Sequence, residues 1–218
     1  MTPAFVFSQL FKNNLQLRSL TGVDLRINVY QGGKVFTASG ATLSSKNQLA
    51  SNGIVHVIDD VILPVPRDTV LQAARDHPDL TRLAEEFTSL NLTRALDGRS
   101  PITVFAPTDA AFEKIPKRIQ DRLLKNIPTM THILQQHIVP GVVYRAGLTN
   151  GDPVKTVTGG IHFITKTDKS LMIGGANIIR ADISTRNGVL HLIDRILLPD
   201  DTEFETKAAL PPGVPLPP

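Results

Sequence analysis

The stretch NGVLHLIDRILLP, residues 187–199, decides how this chain is organised, because it occurs twice. A related stretch, NGIVHVIDDVILP, occupies residues 52–64, which is 135 residues earlier. Seven of the thirteen positions are identical, and five of the other six pair one aliphatic residue with another. Self-similarity of this length indicates a duplicated structural unit. We therefore expect two related units in the chain.

The repeat also predicts where the units begin. Residues 5–22 align without a gap on residues 142–159, at a separation of 137, so Met1 corresponds to Ile138. The part of the second copy that precedes Ile138, residues 67–137, has no counterpart in the first. We predict three parts: residues 1–66 as the C-terminal half of a domain, truncated at its start (the first unit), residues 67–200 as a complete domain (the second unit), and residues 201–218 as a Pro-rich tail.

The first unit should lack the helices and the strand that cover its sheet. Its aromatic and aliphatic residues near the start then have no partners of their own. We expect Phe5, Phe7, Leu10 and Phe11 to be exposed or to dock on the second unit.

The composition is that of an ordinary globular protein. With 41% hydrophobic residues, the 218 residues can bury a sizeable core. The 23 Lys and Arg residues nearly balance the 20 Asp and Glu residues, which does not indicate a nucleic-acid partner. The absence of Cys excludes disulfides and thiolate chemistry. No apolar run approaches the roughly 18 residues of a membrane span, and no signal peptide is recognisable.

The second unit begins with helical periodicity and continues with strand-like runs. Apolar residues recur at helical spacing over residues 68–98, with an interruption at Pro78, which predicts two or three short helices. The run ITVFAPT, residues 102–108, predicts a strand, followed by a helix with Asp109 as its N-cap. Helical spacing continues to residue 138, and short apolar runs separated by turn sequences follow. This order predicts an α+β domain in which the repeated stretch is a central, buried strand.

The residues do not form a pattern suited to catalysis or metal binding. His132 and His137 are about 140° apart around a helix, which is too far for a shared metal ion. His191 and Asp194 lie on opposite faces of a strand. Neither a P-loop nor a G-x-S-x-G or G-x-G-x-x-G motif is present. We therefore predict no enzyme activity, no catalytic residue, no metal site and no cofactor.

Two segments of the second unit resemble the signature segments of the fasciclin-like domain family. They are TVFAPTDAAFEKIP, residues 103–116, and NGVLHLIDRILLP, about seventy residues later. The resemblance covers the second unit whole and the first unit as the later half of a domain. It implies a wedge-shaped β-sandwich flanked by N-terminal helices. It also implies a non-enzymatic adhesion module, with integrins or other extracellular matrix proteins as partners.

Two short elements of this family are linked to integrin-dependent adhesion, and the resemblance carries them onto this chain. One is a Tyr-His pair, of which His137 matches while Gln136 stands in the Tyr position. The other is an Asp-Ile pair six residues before the Gly of the closing stretch, matched by Asp182 and Ile183. In the first copy Asn47 and Gln48 take these places. The resemblance therefore implies an adhesion element in the second unit only.

Each of these candidates also has a structural interpretation. His137 follows an apolar helical stretch and fits a buried histidine that hydrogen-bonds within the fold, with Asp109 as a candidate partner. Asp182 fits a solvated turn residue, although a carboxylate beside an apolar anchor is also what a metal-containing receptor engages.

Two further features concern the surface. Arg118, Arg122 and Lys125 share one helix face, which fits either a glycosaminoglycan or an ordinary solvated face. Asn91 begins the sequon Asn-Leu-Thr and would carry a glycan if the protein is exported.

Two functions remain open from the sequence. The first is an extracellular matrix or cell-surface adhesion module, secreted, whose signal peptide is missing because the chain starts inside a domain. The second is a non-enzymatic carrier that holds a small apolar or anionic ligand in a cleft between the helices and the sheet. A large apolar cleft would favour the carrier, whereas a filled core would count against it.

Overall fold

The structure is a computed structural model that describes residues 6–63, 65–115, 117, 120 and 126–198. Helices and two separate sheets occur together in these residues, which confirms the predicted α+β class. Two predicted features lie outside the described residues: the basic face of Arg118, Arg122 and Lys125, and the Pro-rich tail 201–218. Within the described ranges, no helix is long and apolar enough to cross a membrane.

The first unit forms a five-stranded antiparallel sheet with its strands in chain order. Short loops allow each strand to pair with the one before it. The strands are β1 (Leu15–Arg18), β2 (Asp24–Tyr30), β3 (Val35–Ala38), β4 (Ala41–Ala50) and β5 (Gly53–Ile58). Ile27, Ala38 and Leu43 form a small core on one face of this sheet, against which Phe11 and Phe36 pack.

The second unit begins with the predicted helices. They are α1 (Val70–Asp76), α2 (Thr81–Ser89) and α3 (Thr93–Asp97), and Pro78 lies in the break between the first two. Strand β6 (Ile102–Pro107) then leads into α4 (Asp109–Glu113), and α5 (Ile127–Gln136) precedes the remaining strands. Apolar residues at helical spacing, such as Leu83, Phe87 and Ile133, face inwards from these helices and are fully buried.

Seven strands of the second unit form one hydrogen-bonded sheet in the order β7-β6-β12-β11-β10-β9-β8. The strands not yet given are β7 (Ile138–Pro140), β8 (Pro153–Lys155), β9 (Ile161–Lys166), β10 (Leu171–Ile173), β11 (Ala176–Thr185) and β12 (Gly188–Ile193). The sheet folds over on itself, since the amide of Val157, just after β8, donates to the carbonyl of Ile138 in β7 at 2.9 Å. Two register shifts in β11 accompany this bend.

Strand β12 is the central, buried strand that the repeat predicted. It pairs in parallel with β6 and antiparallel with β11, and each of its residues is buried. Leu190 and Leu192 face the core under the helices. Ile193 faces a second core inside the folded sheet, together with Phe105 of β6. The helical layer and the folded sheet are therefore held against opposite faces of one pair of strands.

The predicted N-cap of α4 was wrong by one residue. The side chain of Thr108 accepts the amide of Ala111 at 3.3 Å and so caps this helix. The Asp109 carboxylate instead accepts the amide of Arg82 at 2.9 Å, in the first turn of α2. Asp109 therefore ties α4 to α2 and is not the partner of His137.

The first unit docks on the second through the outward face of β2. Arg26 is buried, and its guanidinium donates to the carbonyls of Thr185, Arg186 and Gly188 at 3.1, 2.7 and 3.1 Å. These carbonyls belong to the turn between β11 and β12. A buried guanidinium is costly unless its donors are paired, and three hydrogen bonds of Arg26 go to these backbone carbonyls.

Tyr30 extends the same contact at the end of β2. Its hydroxyl donates to the carbonyl of Val142 at 3.3 Å and accepts the amide of Tyr144 at 3.0 Å. Tyr30, Val142, Tyr144 and Val189 together form a buried cluster that spans both units. Burial raises the pKa of Tyr30, so the hydroxyl keeps the proton that it donates.

Of the two outcomes expected for the residues near the start of the chain, exposure is confirmed for Phe7 and Leu10. Phe7 and Leu10 are exposed, Phe11 packs in the core of its own sheet, and Phe5 lies outside the described residues. In the described part of the chain, the outer edge of β5 has no partner strand, whereas the equivalent edge of β12 pairs with β6. Docking through β2 leaves that edge free.

We expect Arg26→Met to loosen the contact between the two units. The substitution keeps most of the apolar stem but removes the donors for three carbonyls, so the free energy of unfolding should fall by about 3 kcal/mol. Urea unfolding measures this loss, and hydrogen exchange should show weaker protection around residues 185–188. Arg18→Met, at an exposed arginine of β1, is the matched control. Unchanged protection in the Arg26 variant would contradict this account of the docking.

Candidate functional site

The predicted Asp-Ile element lies at a bulge in β11. Asp182 has a positive φ of 64° next to a shift in the pairing of β11 with β12. The first unit has the same bulge in β4, where Asn47 has a φ of 59°. Asp and Asn tolerate this left-handed conformation better than other residues that carry a Cβ. The bulge therefore accounts for the residue type in both copies.

The side chains at the two bulges make the same hydrogen bond. Asp182 Oδ1 accepts the amide of Arg145 at 2.7 Å. Asn47 Oδ1 accepts the amide of Ser8 at 2.9 Å, and Ser8 is the repeat equivalent of Arg145. Each side chain thus fixes the short 3-10 helix of its own unit, at Arg145–Gly147 or Ser8–Leu10.

A repeated histidine holds each bulge from the opposite side. His191 Nδ1 accepts the amide of Asp182 at 3.2 Å, and His191 Nε2 lies 2.8 Å from the carbonyl of Val143. Because Nδ1 accepts, Nε2 must carry the proton and donate. Burial lowers the pKa of His191 despite the nearby Asp182 carboxylate, which favours this neutral form.

The first unit repeats this arrangement. His56 Nδ1 accepts the amide of Asn47 at 3.3 Å, and His56 Nε2 lies 3.0 Å from the carbonyl of Val6. Each histidine also lies against a Phe ring, at 5.3 Å between centroids for Phe105 with His191 and for Phe11 with His56. The repeated histidines thus connect the strand pair to an upstream segment of the chain.

Asp182 keeps part of its carboxylate at the surface. Its side chain is 30% exposed. Burial raises the pKa of Asp182, while the neighbouring His191 and the amide of Arg145 act in the opposite direction. Arg145 and Lys169 border a small polar depression nearby, of about 210 Å³, beside Ala181. The corner around Asp182 therefore has both acidic and basic groups.

Ile183 is half-buried against the core under the helices. The equivalent residue in the first unit is Gln48, and the described residues place no helical layer over the sheet there. Packing thus accounts for an apolar residue in one copy and a polar one in the other. The Asp-Ile element is positioned by the fold, with Ile183 packed against the core and the Asp182 side chain 30% exposed.

His137 lies in the core, which corrects the expectation of an adhesion contact. It is fully buried at the end of α5. Nε2 accepts the amide of Leu197 at 2.9 Å, so the proton is on Nδ1, which donates to the carbonyl of Ile133 at 2.8 Å. Burial lowers the pKa of His137 to about 4, and the neighbouring His162 acts in the same direction. His137 presents no atom to a partner.

Gln136, in the position of the family's Tyr, is also buried. Its Oε1 accepts the hydroxyl of Thr156 at 3.0 Å, and its Nε2 lies 3.1 Å from His132 Nε2. A side chain at Gly160 would collide with this amide. Gln136 therefore fastens α5 to the loop after β8, a role that no signal in the sequence indicated.

The space between the helices and the sheet is filled. Leu80, Phe87, Phe112 and Leu134 are fully buried there and pack in one cluster with β6 and β12. An open groove of about 710 Å³ runs along β8 and the end of β2. Among the described residues, no group of His, Asp or Glu is placed to hold a metal ion.

Asn91 lies at an exposed corner between α2 and α3. Its φ of 57° is left-handed, and its amide donates to the carbonyl of Thr88 at 3.2 Å. The sequon is thus presented on the surface of the helical layer. Glycosylation at this position remains a prediction.

The chain is similar to known proteins in both sequence and fold. The model of the Fasciclin domain matches residues 1–64 and 78–199. The chain belongs to the fasciclin domain family. The two matched ranges end at residues 64 and 199, which are the last residues of the two copies of the repeated stretch.

Relatives of this fasciclin chain come from animals and bacteria. Human periostin is 30% identical over 88% of this chain, and pig transforming growth factor-beta-induced protein ig-h3 is 30% identical over 93%. The chain spans 23% and 30% of their lengths. The immunogenic protein MPB70 of Mycobacterium bovis is 33% identical over 61% of this chain and 70% of its own length.

A solved structure shares the fold. It is that of a domain pair from the insect cell adhesion molecule fasciclin I, with a TM-score of 0.55 at 21% identity. The match covers 84% of this chain and 71% of that one. The fold expected from the resemblance is therefore confirmed.

We expect acid to destabilise this protein through His137. The pKa of this histidine is about 4 in the folded state against 6.5 ordinarily, so the neutral form contributes stability above about pH 6.5. That stability is lost as the pH falls towards 4, with about 2 to 3 kcal/mol gone between about pH 7 and about pH 4.5.

Urea unfolding at a series of pH values measures this loss in the wild type and in His137→Asn. The variant is less stable at neutral pH, but its stability should fall less steeply on acidification. His132→Asn, at an exposed histidine of the same helix, is the matched control. Equal slopes for the wild type and His137→Asn would refute the assignment.

Proposed function

We propose that this chain is an adhesion module of the extracellular matrix or the cell surface. Its partners would be integrins or other matrix proteins, bound through the surface of the second unit without catalysis. The observation that carries the proposal is the similarity to periostin and ig-h3, which extends over 88% and 93% of this chain and so includes both units. Adhesion is the role that the family resemblance implies.

The corner around Asp182 is the contact that we propose. It combines a partly exposed carboxylate on β11 with the basic groups of Arg145, in the short 3-10 helix, and of Lys169, in the turn before β10. A carboxylate of this kind can complete the coordination of a receptor-bound cation. A side chain on a strand is already ordered before binding, so little conformational entropy is lost when it contacts a partner. Ile183 supports this corner from the core, and His137 takes no direct part.

The matched variants for this proposal come from the repeat itself. Asn47 makes the bulge hydrogen bond in the first unit with an amide oxygen, so Asp182→Asn should preserve the fold while removing the charge. Asp182→Ala removes both the charge and the acceptor for the amide of Arg145. Asp168→Asn, in an exposed turn of the second unit, controls for the loss of one surface charge.

Attachment of integrin-bearing cells to the immobilised chain tests the proposal. We expect Asp182→Asn to reduce attachment about tenfold or more with little change in the free energy of unfolding. Asp182→Ala should lose attachment and about 1 to 2 kcal/mol of stability. Attachment by Asp182→Asn at the wild-type level would exclude the carboxylate as the contact. The absence of attachment by the wild type would remove the integrin proposal itself.

The proposal also covers the location and two modifications of the surface. We propose export of the protein, with glycosylation at the exposed Asn91. Binding of a glycosaminoglycan through Arg118, Arg122 and Lys125 belongs to the same proposal. Replacing these three residues by Gln should lower the affinity for heparin. Replacing Lys12 and Lys34 by Gln is the control and should leave the affinity unchanged.

A further inference from the structure

The docking face of the first unit has an exposed equivalent in the second. Arg26 of β2 corresponds to Phe163 of β9 at the repeat separation of 137, and Ile27 corresponds to Ile164. Ile27 and Ile164 both face the core of their own sheet. Arg26 and Phe163 therefore lie on the opposite, outward face. In β2 this face is buried against the next unit, whereas in β9 it is open.

Large apolar side chains occupy that open face. Phe163 is 58% exposed and Ile161, two residues before it on the same face of β9, is 45% exposed. An exposed aromatic and an aliphatic residue side by side on a strand are unusual on a surface without a partner. We call the outward face of Ile161, Phe163 and Thr165 the β9 face.

The surface that receives β2 in the second unit also has an exposed equivalent. Tyr144 and Gly147, which contact the first unit, correspond to Phe7 and Leu10. Phe7 is 38% exposed and Leu10 is 59% exposed. The turn at residues 185–188, which receives Arg26, corresponds to the exposed turn at residues 50–53. We call Phe7, Leu10 and this turn the receiving surface of the first unit.

We propose that two copies of this chain associate head to tail, with the β9 face of one copy docked on the receiving surface of another. The contact would repeat between copies the packing that already joins the two units within one copy. The occupant of the β9 face is thus a second copy of this chain. This self-association goes beyond the adhesion role and does not depend on it.

The sizes of the side chains at the equivalent positions support this pairing. Within one copy, Tyr30 packs so closely on Gly147 that a Cβ on this glycine would lie 2.7 Å from the ring. Between copies, Thr167 takes the place of Tyr30 and Leu10 takes the place of Gly147. The smaller Thr167 thus faces the larger Leu10, whereas within one copy the larger Tyr30 faces the smaller Gly147.

A second pair of positions again places a glycine opposite an aromatic ring, as in the contact within one copy. Gly40 has a φ of +98°, and its ideal Cβ would lie 3.2 Å from the Tyr144 ring. Gly175 corresponds to Gly40, has a φ of +79°, and has open space around its own Cβ position. Phe7, the equivalent of Tyr144, is the ring that would fill this space in a second copy.

The contact between copies differs from the internal one in its chemistry. Arg26 donates three hydrogen bonds, whereas Phe163 donates none, so the contact between copies is mainly apolar. We expect association that depends on concentration and changes little with salt. Each copy carries one β9 face and one receiving surface, so the contact is heterologous and can continue from copy to copy.

Sedimentation velocity of the full chain, over roughly two decades of protein concentration, tests the proposal. The wild type should associate as its concentration rises. Phe163→Asp on the β9 face and Leu10→Asp on the receiving surface should each weaken association about tenfold or more. Ile179→Asp is the matched control, because Ile179 is also 58% exposed but lies on β11. Circular dichroism and urea unfolding verify that each variant is folded.

Mixing the two variants separates this contact from a symmetric one. The Phe163→Asp chain keeps its receiving surface, and the Leu10→Asp chain keeps its β9 face, so an equimolar mixture should form a dimer that cannot extend. A symmetric contact between two β9 faces would instead let the Leu10→Asp chain associate with itself and leave the Phe163→Asp chain monomeric. That result overturns the proposal, as does a wild type that stays monomeric throughout. Association blocked by Val57→Lys at the open edge of β5, but not by Phe163→Asp, would likewise overturn it.

Discussion

The parallel pairing of β6 with β12 is the constraint on which the second unit depends. Residues 102–107 and 188–193 lie side by side in register, although more than eighty residues separate them along the chain. One face of this pair carries the helices, and the other closes the folded sheet. In the described residues, β5 of the first unit has no such partner strand. The first unit is held on the second by Arg26 and Tyr30 of β2 instead. The two related sheets are thus stabilised by different long-range contacts.

The repeated histidines supply a second constraint that both units share. Each of His56 and His191 accepts an amide from a bulge and donates to a carbonyl from an upstream segment. A neutral imidazole suits this position, because its two nitrogens have opposite hydrogen-bonding roles about 2 Å apart. The hydrogen bonds of His56 and His191 within the fold therefore account for the repetition of this histidine in the sequence.

Local patterns in the sequence predicted the elements well, whereas distant contacts escaped prediction. The apolar residues on both faces of β12 and the break at Pro78 are local signals, and both features are confirmed. The docking through β2 was not predicted, because the guanidinium of Arg26 donates to carbonyls about 160 residues away and the sequence near β2 carries no signal for them. The position of His137 was open for a similar reason, since it depends on the distant amide of Leu197.

The equivalence of Asn47 and Asp182 shows that the bulge does not require a charged side chain. Both side chains offer an oxygen to the same backbone amide from the same left-handed position, so either residue satisfies the bulge. A single base change could therefore switch the charge at this corner while leaving the backbone as it is. In a family built from repeated units, such a position lets neighbouring copies acquire different partners without each copy having to evolve a new way to fold.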